Sequence, residues 1–115
     1  MVNNQRQITR VFAALADPTR RQIVQLVSQQ GETRVTTLAK PFRMSLPAIS
    51  RHLRVLEKAR LIRRQRRGRE HLIGSNHAGL EAARRWIGQC AAGWESAFDN
   101  LDVLLKKAQK KEKPQ

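Results

Sequence analysis

From Ser45 to Leu56 the apolar residues fall at Ile49, Leu53 and Leu56, spacings of four and three that place them on one face of an α-helix. Ser45 occupies the N-cap position. Pro47 lies in the first turn, where its missing N–H costs nothing. Ala48, Ser50, Arg51, Arg54 and Val55 are left on the other faces. Two short apolar runs follow, Leu61-Ile62 and Leu72-Ile73, and between them lies Arg63-Arg64-Gln65-Arg66-Arg67-Gly68-Arg69-Glu70. Gly68 supplies a turn, so the spacing predicts a two-stranded hairpin with its tip at Arg66–Arg69. From Arg51 to Arg69 there are nine basic residues and one acidic residue, Glu57. A helix with one buried face, joined without a linker to a hairpin of arginines, must rest on a small core and turn its charge outward.

Composition says what that charge can meet. The chain has 115 residues, which suits one domain, and 23 Lys+Arg against 9 Asp+Glu give a net charge of +14. A surplus of that size calls for an anionic partner: nucleic acid first, an anionic membrane surface second. No apolar run approaches the roughly 20 residues that span a bilayer, and the N-terminal residues contain no apolar signal-peptide core. A single cysteine, Cys90, fits a reducing cytoplasm. Aromatic residues make up 4% and Tyr is absent, so a base-stacking platform for single strands is not expected.

The preceding chain reads as three helices. Residues 5–16 carry Ile8, Val11, Phe12 and Leu15 on one face. Asp17 then caps a second helix that begins at Pro18, buries Ile23, Leu26 and Val27, and stops at Gly31. A short third helix starts near Thr36 as N-cap with Leu38 and Ala39; Pro41 either lies near its start or ends it. Phe42 and Met44 are apolar plugs in the turn to the helix at Ser45. Two helices joined by a short turn, the second exposing small and basic residues at its N-terminal end, form the helix-turn-helix pattern. Within it Ser45, Pro47, Ala48, Ser50, Arg51 and Arg54 are the candidate DNA-facing residues. Arg51 has the fork to pair with guanine, and Ser50 can bond a base or a phosphate. Arg64, Arg66, Arg67 and Arg69 are the candidate contacts of the hairpin, lying as a wing against the DNA backbone or in the minor groove. Read by itself the helix face is equally an ordinary solvated one; the adjoining arginine hairpin tips the balance.

The last segment, residues 76–107, predicts one long helix. Leu80, Ala83, Ile87, Cys90, Trp94, Ala97, Leu101 and Leu104 recur at alternating spacings of 3 and 4. Trp86, Phe98 and Leu105 widen the seam, and Gly88 and Gly93 weaken it or permit close approach. The stripe exceeds what a small core can cover, so it reads as a dimer interface, with Ile87, Cys90, Trp94 and Leu101 at its centre and the first helix beside it. Packing within the chain accounts for part of it. Residues 1–4 and 108–115 read as flexible tails around a single winged-helix domain over 1–115, with 77–107 as its dimerisation helix. His52 reads as a structural histidine and Cys90 as a small apolar filler.

These residues resemble the ArsR-type (arsenic-repressor-like) winged helix-turn-helix regulators over nearly the whole chain. The resemblance is carried by FAALADPTRRQIVQLV at 12–27, TTLAKPFRMSLPAISRHLRVLEKARLI at 36–62, RRGRE at 66–70, and the two tryptophans before FDNLDVLL. It implies a mainly α fold of about five helices plus a two-stranded wing, dimerising through the first and last helices. It also implies a cytoplasmic, homodimeric repressor whose recognition helix enters the major groove of a palindromic operator while the wing flanks it. The chain departs from the metal-sensing members. Their Cys-x-Cys pair is replaced by Arg34-Val35-Thr36-Thr37-Leu38, and only His77 lies on the last helix. The three histidines are scattered, so no metal and no cofactor are expected, and the inducing signal stays open. Arg60 also stands where the family usually has glycine. Catalytic signatures are absent. Two further readings are an architectural or non-specific nucleic-acid-binding protein, using charge alone, and a protein-interaction module built on the long helix.

Overall fold

The structure, a computed structural model, describes residues 2–112. Five helices and three strands follow one another as α1 (Val2–Leu15), α2 (Pro18–Gln30), β1 (Thr33–Arg34), α3 (Val35–Ala39), α4 (Leu46–Lys58), β2 (Ile62–Arg67), β3 (Glu70–Ser75) and α5 (His77–Glu112). Helices α1 and α5 extend into the segments expected as tails, 1–4 and 108–115. Met1 and residues 113–115, assigned to those tails, lie outside the described residues. One compact unit ends at Ala83 and a second begins at Arg84.

The first unit is built on a core of Val11 and Ala14 from α1, Ile23 and Val27 from α2, Leu38 from α3, and Ile49, Leu53 and Leu56 from α4. Leu61, Ile62 and Ile73 join them from the wing. The three predicted anchors of α4 are fully buried. The buried face of α1 is rotated from the expected one. Phe12 is exposed, whereas Ala14 is buried and Gln7 donates its Nε2 to the Ala59 carbonyl at 2.7 Å. A polar side chain is favoured on that face because it satisfies a carbonyl at the end of α4. Phe42 packs on the core, but Met44 is exposed and plugs nothing.

Corner chemistry decides the path of the chain. Asp17 caps α2 by accepting the Arg20 N–H at 3.0 Å. The arginines that follow close the end of α1: Arg20 donates to the carbonyls of Ala14 and Ala13, and Arg21 to those of Leu15 and Ala16. The string Asp-Pro-Thr-Arg-Arg is thus a double cap, satisfying donors of one helix and acceptors of its predecessor. Ser45 caps α4 as expected, accepting the Ala48 N–H at 3.3 Å. At α3 the cap is Arg34, with no side-chain hydrogen bond, in place of Thr36, and Pro41 lies beyond its end.

The wing is part of a three-stranded antiparallel sheet of order β1-β3-β2, where the sequence predicts two strands. The addition is β1, which pairs Thr33 with Ile73 and Arg34 with Leu72. The register from Ile62↔Ser75 to Arg67↔Glu70 leaves Gly68-Arg69 as a two-residue loop. Gly68 has φ 62° and Arg69 no positive φ, the pattern of a type II′ turn with glycine at its first central position.

Helix α4 ends in a Schellman motif. The Leu61 N–H donates to the Leu56 carbonyl and the Arg60 N–H to the Glu57 carbonyl, both at 3.0 Å. The motif needs a left-handed residue at Arg60, whose φ is 58°. Onto this turn docks the start of α5. The Gly79 N–H donates to the Arg60 carbonyl at 2.8 Å, and a Cβ on Gly79 would lie 2.5 Å from the Ala59 oxygen, which leaves room for no side chain. Arg60→Gly removes the left-handed strain while freeing the unfolded chain. The net gain expected is about 0.5–1 kcal/mol, seen as a higher urea midpoint at unchanged slope.

Candidate nucleic-acid interface

At about 100° per residue, Pro47, Ser50, Arg51 and Arg54 fall within an arc of about 100° on α4. That arc lies on the side away from the buried Ile49, Leu53 and Leu56. Pro47, Arg51 and Arg54 are exposed, Ser50 is half-buried, and Ala48 lies half-buried on the flank. Small residues at the start of this face let the helix backbone come close to a surface. The two arginines then reach beyond it. Neither has an ion-pair partner among the described residues. Ser45 is exposed at the tip, with its oxygen engaged in the cap and its hydroxyl proton still available to donate.

The wing residues divide into kinds the sequence does not separate. Arg66, Arg67 and Arg69 are exposed around the tip. Arg66 donates Nε to the Gly68 carbonyl at 3.1 Å, which steadies the turn. Arg67 lies 3.6 Å from Glu32, and Arg34 lies 3.2 Å from Glu70, so two exposed ion pairs tie the wing back to β1 and the turn before it. Both are surface pairs that salt weakens. Arg64 differs: it is half-buried and shares the inner face of β2 with Ile62.

Sequence reasoning missed the cluster that supports α4 from behind. The Arg20 guanidinium lies 3.4 Å from His52 Nδ1, and His52 lies 4.0 Å from Asp17. His52 is half-buried there, between α4 and the α1–α2 corner. Its position on the α4 flank, one residue from Leu53, was the available signal. The Asp17 carboxyl is held below the usual carboxylate range, chiefly by the hydrogen bond from the Arg20 N–H, with the charges of Arg20 and His52 adding to it against the effect of burial. A depressed carboxyl stabilises the fold fully above its unfolded value of about 3.9, and that contribution is lost as pH falls through the lower folded value. Asp17→Ala is therefore expected to cost about 0.5–2 kcal/mol at neutral pH, the usual worth of an N-cap. The deficit against the parent chain should shrink in urea melts as the pH is taken down through and below the usual carboxylate range.

The second unit carries the other predicted site. Ile87, Trp94 and Leu101 on α5 are exposed, as are Phe98, Leu104 and Leu105. Cys90 is also exposed. Trp94 and Phe98 stack with ring centroids 5.7 Å apart. Ala83, counted on the same seam, instead belongs to the core of the first unit.

Comparison with known proteins bears on this arrangement. Residues 17–64 match the family described as bacterial regulatory protein, arsR family. Over 77 residues the chain is 35% identical to the transcriptional repressor SdpR of Bacillus subtilis, covering 67% of this chain and 84% of that protein. The crystal structure of an ArsR family transcriptional regulator superposes with a TM-score of 0.75 at 36% identity, over 80% of this chain and 94% of the other. A solution structure from Mycobacterium bovis, described as a homodimeric winged helix-turn-helix DNA-binding domain, matches with a TM-score of 0.59 at 30% identity. It covers 81% of this chain and 83% of that one.

Proposed function

The chain belongs to the arsR family of bacterial regulatory proteins and is a DNA-binding transcriptional regulator, not an enzyme; on that premise we propose that it is a homodimeric repressor of a palindromic operator. The observation that carries the reading is the α4 face of Pro47, Ser50, Arg51 and Arg54, set against a fully buried Ile49, Leu53 and Leu56 and flanked by the arginine wing. In this reading the face enters the major groove. Arg51 pairs with a base edge, Arg54 and Ser45 position the helix on phosphates, and Arg66, Arg67 and Arg69 hold the backbone beside it. The exposed seam of Ile87, Cys90, Trp94 and Leu101 joins two copies, and α1 contributes to the pairing. Residues 77–107 thereby act as the dimerisation helix of a single winged-helix domain. Two copies about one helical turn apart, roughly 34 Å, read two half-sites. The Mycobacterium bovis relative, described as homodimeric, supports the pairing.

No metal enters this reading. His52, His71 and His77 sit on three separate elements, and no three His, Cys, Asp or Glu side chains converge among the described residues. A cytoplasmic location accords with DNA as the partner. No helix among the described residues is long and apolar enough to cross a membrane.

Selection of bound duplexes from a random pool tests the whole reading. A symmetric pair of half-sites, preferred by a factor of about 10³ or more over random duplex at physiological salt, is expected. Enrichment of no sequence would leave charge alone as the basis of binding and return the architectural reading.

A further inference from the structure

A cleft of about 480 Å³ opens between the start of α3, the start of α4 and the wing. Its walls bring together Arg34, Arg64 and Arg69 with Thr36 and Ser50, against one acid, Glu70. Glu70 is already engaged with Arg34 at 3.2 Å, so the cleft keeps a net positive charge. Arg64 is the deepest of the three arginines. It pairs across the sheet with Ile73, which is fully buried, and so leaves the strand on the inner face. Its Nε and Nη2 are shut off from solvent and have no hydrogen-bond partner among the described residues. These two nitrogens form the guanidinium edge that offers two parallel N–H donors, the fork that fits two oxygens of one anion. A charged donor pair held dry and unpaired costs free energy until an acceptor arrives.

We infer that this cleft is a seat for one oxyanion of the phosphate class, gripped by the Arg64 fork, and that either a DNA backbone phosphate or a free dianion fills it. The first source rests on the DNA-binding reading above; the second does not. Because Nε and Nη2 are closed to solvent, seating the anion is accompanied by rotation of Arg64 toward it. Thr36 and Ser50 carry hydroxyls in the same walls that can donate to the remaining oxygens. Free dianions therefore displace DNA by occupancy, beyond their effect on ionic strength.

The test uses the full chain, with inorganic phosphate as the probe and sodium chloride matched for ionic strength as the control. Arginine Nε–H resonances are followed by NMR, the Arg64 signal being the one lost in Arg64→Gln. Phosphate, and not chloride, should shift that signal saturably. Arg64→Lys keeps the charge without the fork and should weaken saturation at least several-fold. In a parallel arm, binding of a labelled duplex is measured in both salts. At a phosphate concentration about twice its dissociation constant, duplex affinity should fall about ninefold relative to chloride, about threefold for each of the two copies that must release an anion. In Arg64→Gln, whatever its own affinity for DNA, the ratio between the two salts should return to one. Saturation together with competition assigns the seat to both sources, and saturation without competition to the free anion alone. Absence of a saturable shift by phosphate overturns the inference, even if DNA binds. Absence of duplex binding in chloride counts against the DNA-binding reading and leaves the NMR arm intact.

Discussion

Arg51→Ala lowers affinity for the selected duplex by about 2–6 kcal/mol per dimer and lowers affinity for random duplex far less. The figure follows from about 1–3 kcal/mol for a bidentate arginine–base pair, counted once per half-site because well-separated positions add. Geometry directs the prediction to this residue. Arg51 lies on the exposed face of α4 almost opposite the buried Ile49, Leu53 and Leu56, one turn after Pro47 and one residue from Ser50, with no ion pair among the described residues to hold it elsewhere. Its guanidinium therefore enters the complex without first breaking a bond inside the protein. Fluorescence anisotropy on the selected and random duplexes, at one salt concentration, separates the possibilities. A loss confined to the selected duplex identifies a base contact. An equal loss on both, with a flatter salt dependence, makes Arg51 a phosphate contact and removes it from sequence reading.

The second large effect is on assembly. Trp94→Asp combined with Leu101→Asp is expected to convert the proposed dimer to monomers at micromolar concentration. Trp94 is 65% exposed and Leu101 50%, and both lie on the seam that repeats every three and four residues. Burying side chains of this size against a second copy contributes about 1.5–3 kcal/mol each. A carboxylate in their place brings a desolvation cost instead. Four such changes per dimer exceed what the rest of the seam can offset. Affinity for the two-half-site duplex should then fall by a factor of about 10²–10⁴, because the second half-site is no longer held at high effective concentration. Sedimentation equilibrium gives the mass, and circular dichroism at 222 nm checks that the first unit, to whose core neither residue belongs, keeps its helices. A double variant that stays dimeric would remove the seam from the interface, and the palindrome with it.

Part of this architecture lay open in the sequence because its causes are local. Ile49, Leu53 and Leu56 make a helix of that stretch whatever surrounds it. Ser45, Asp17-Pro18 and Gly31 mark boundaries through hydrogen bonds or dihedrals confined to a few residues. Gly68 sets the turn of the wing in the same way. What stayed hidden depended on partners distant in the chain. The strand Thr33–Arg34 has two residues and no period to read, and it exists because Ile73 and Leu72 pass beside it. Phe12 outranks Ala14 and Gln7 on any apolar scale, yet the inner face of α1 is set by the Ala59 carbonyl, which needs a donor. The cap at Arg34, without a side-chain bond, looks like no cap at all when read alone.

The candidate interface divides along the same line. The sequence by itself determined that a helix from Ser45 and an arginine hairpin stand together, that the helix keeps Pro47, Ser50, Arg51 and Arg54 off its apolar face, and that the charge needs an anion. Those follow from periodicity, turn chemistry and net charge, which require no knowledge of distant neighbours. Only the tertiary structure decided which arginines of the hairpin face outward. In a strand of Arg63, Arg64, Gln65, Arg66 and Arg67 both faces look alike, and the phase is set by pairing Ile62 with Ser75 and Arg64 with Ile73. That register sends Arg64 inward, to the wall of the cleft, where its fork has no hydrogen-bond partner among the described residues. Tertiary packing also brought His52 to Asp17 and Arg20 across 35 and 32 positions of sequence, a meeting that no local pattern encodes because it is made by helices packing on a shared core.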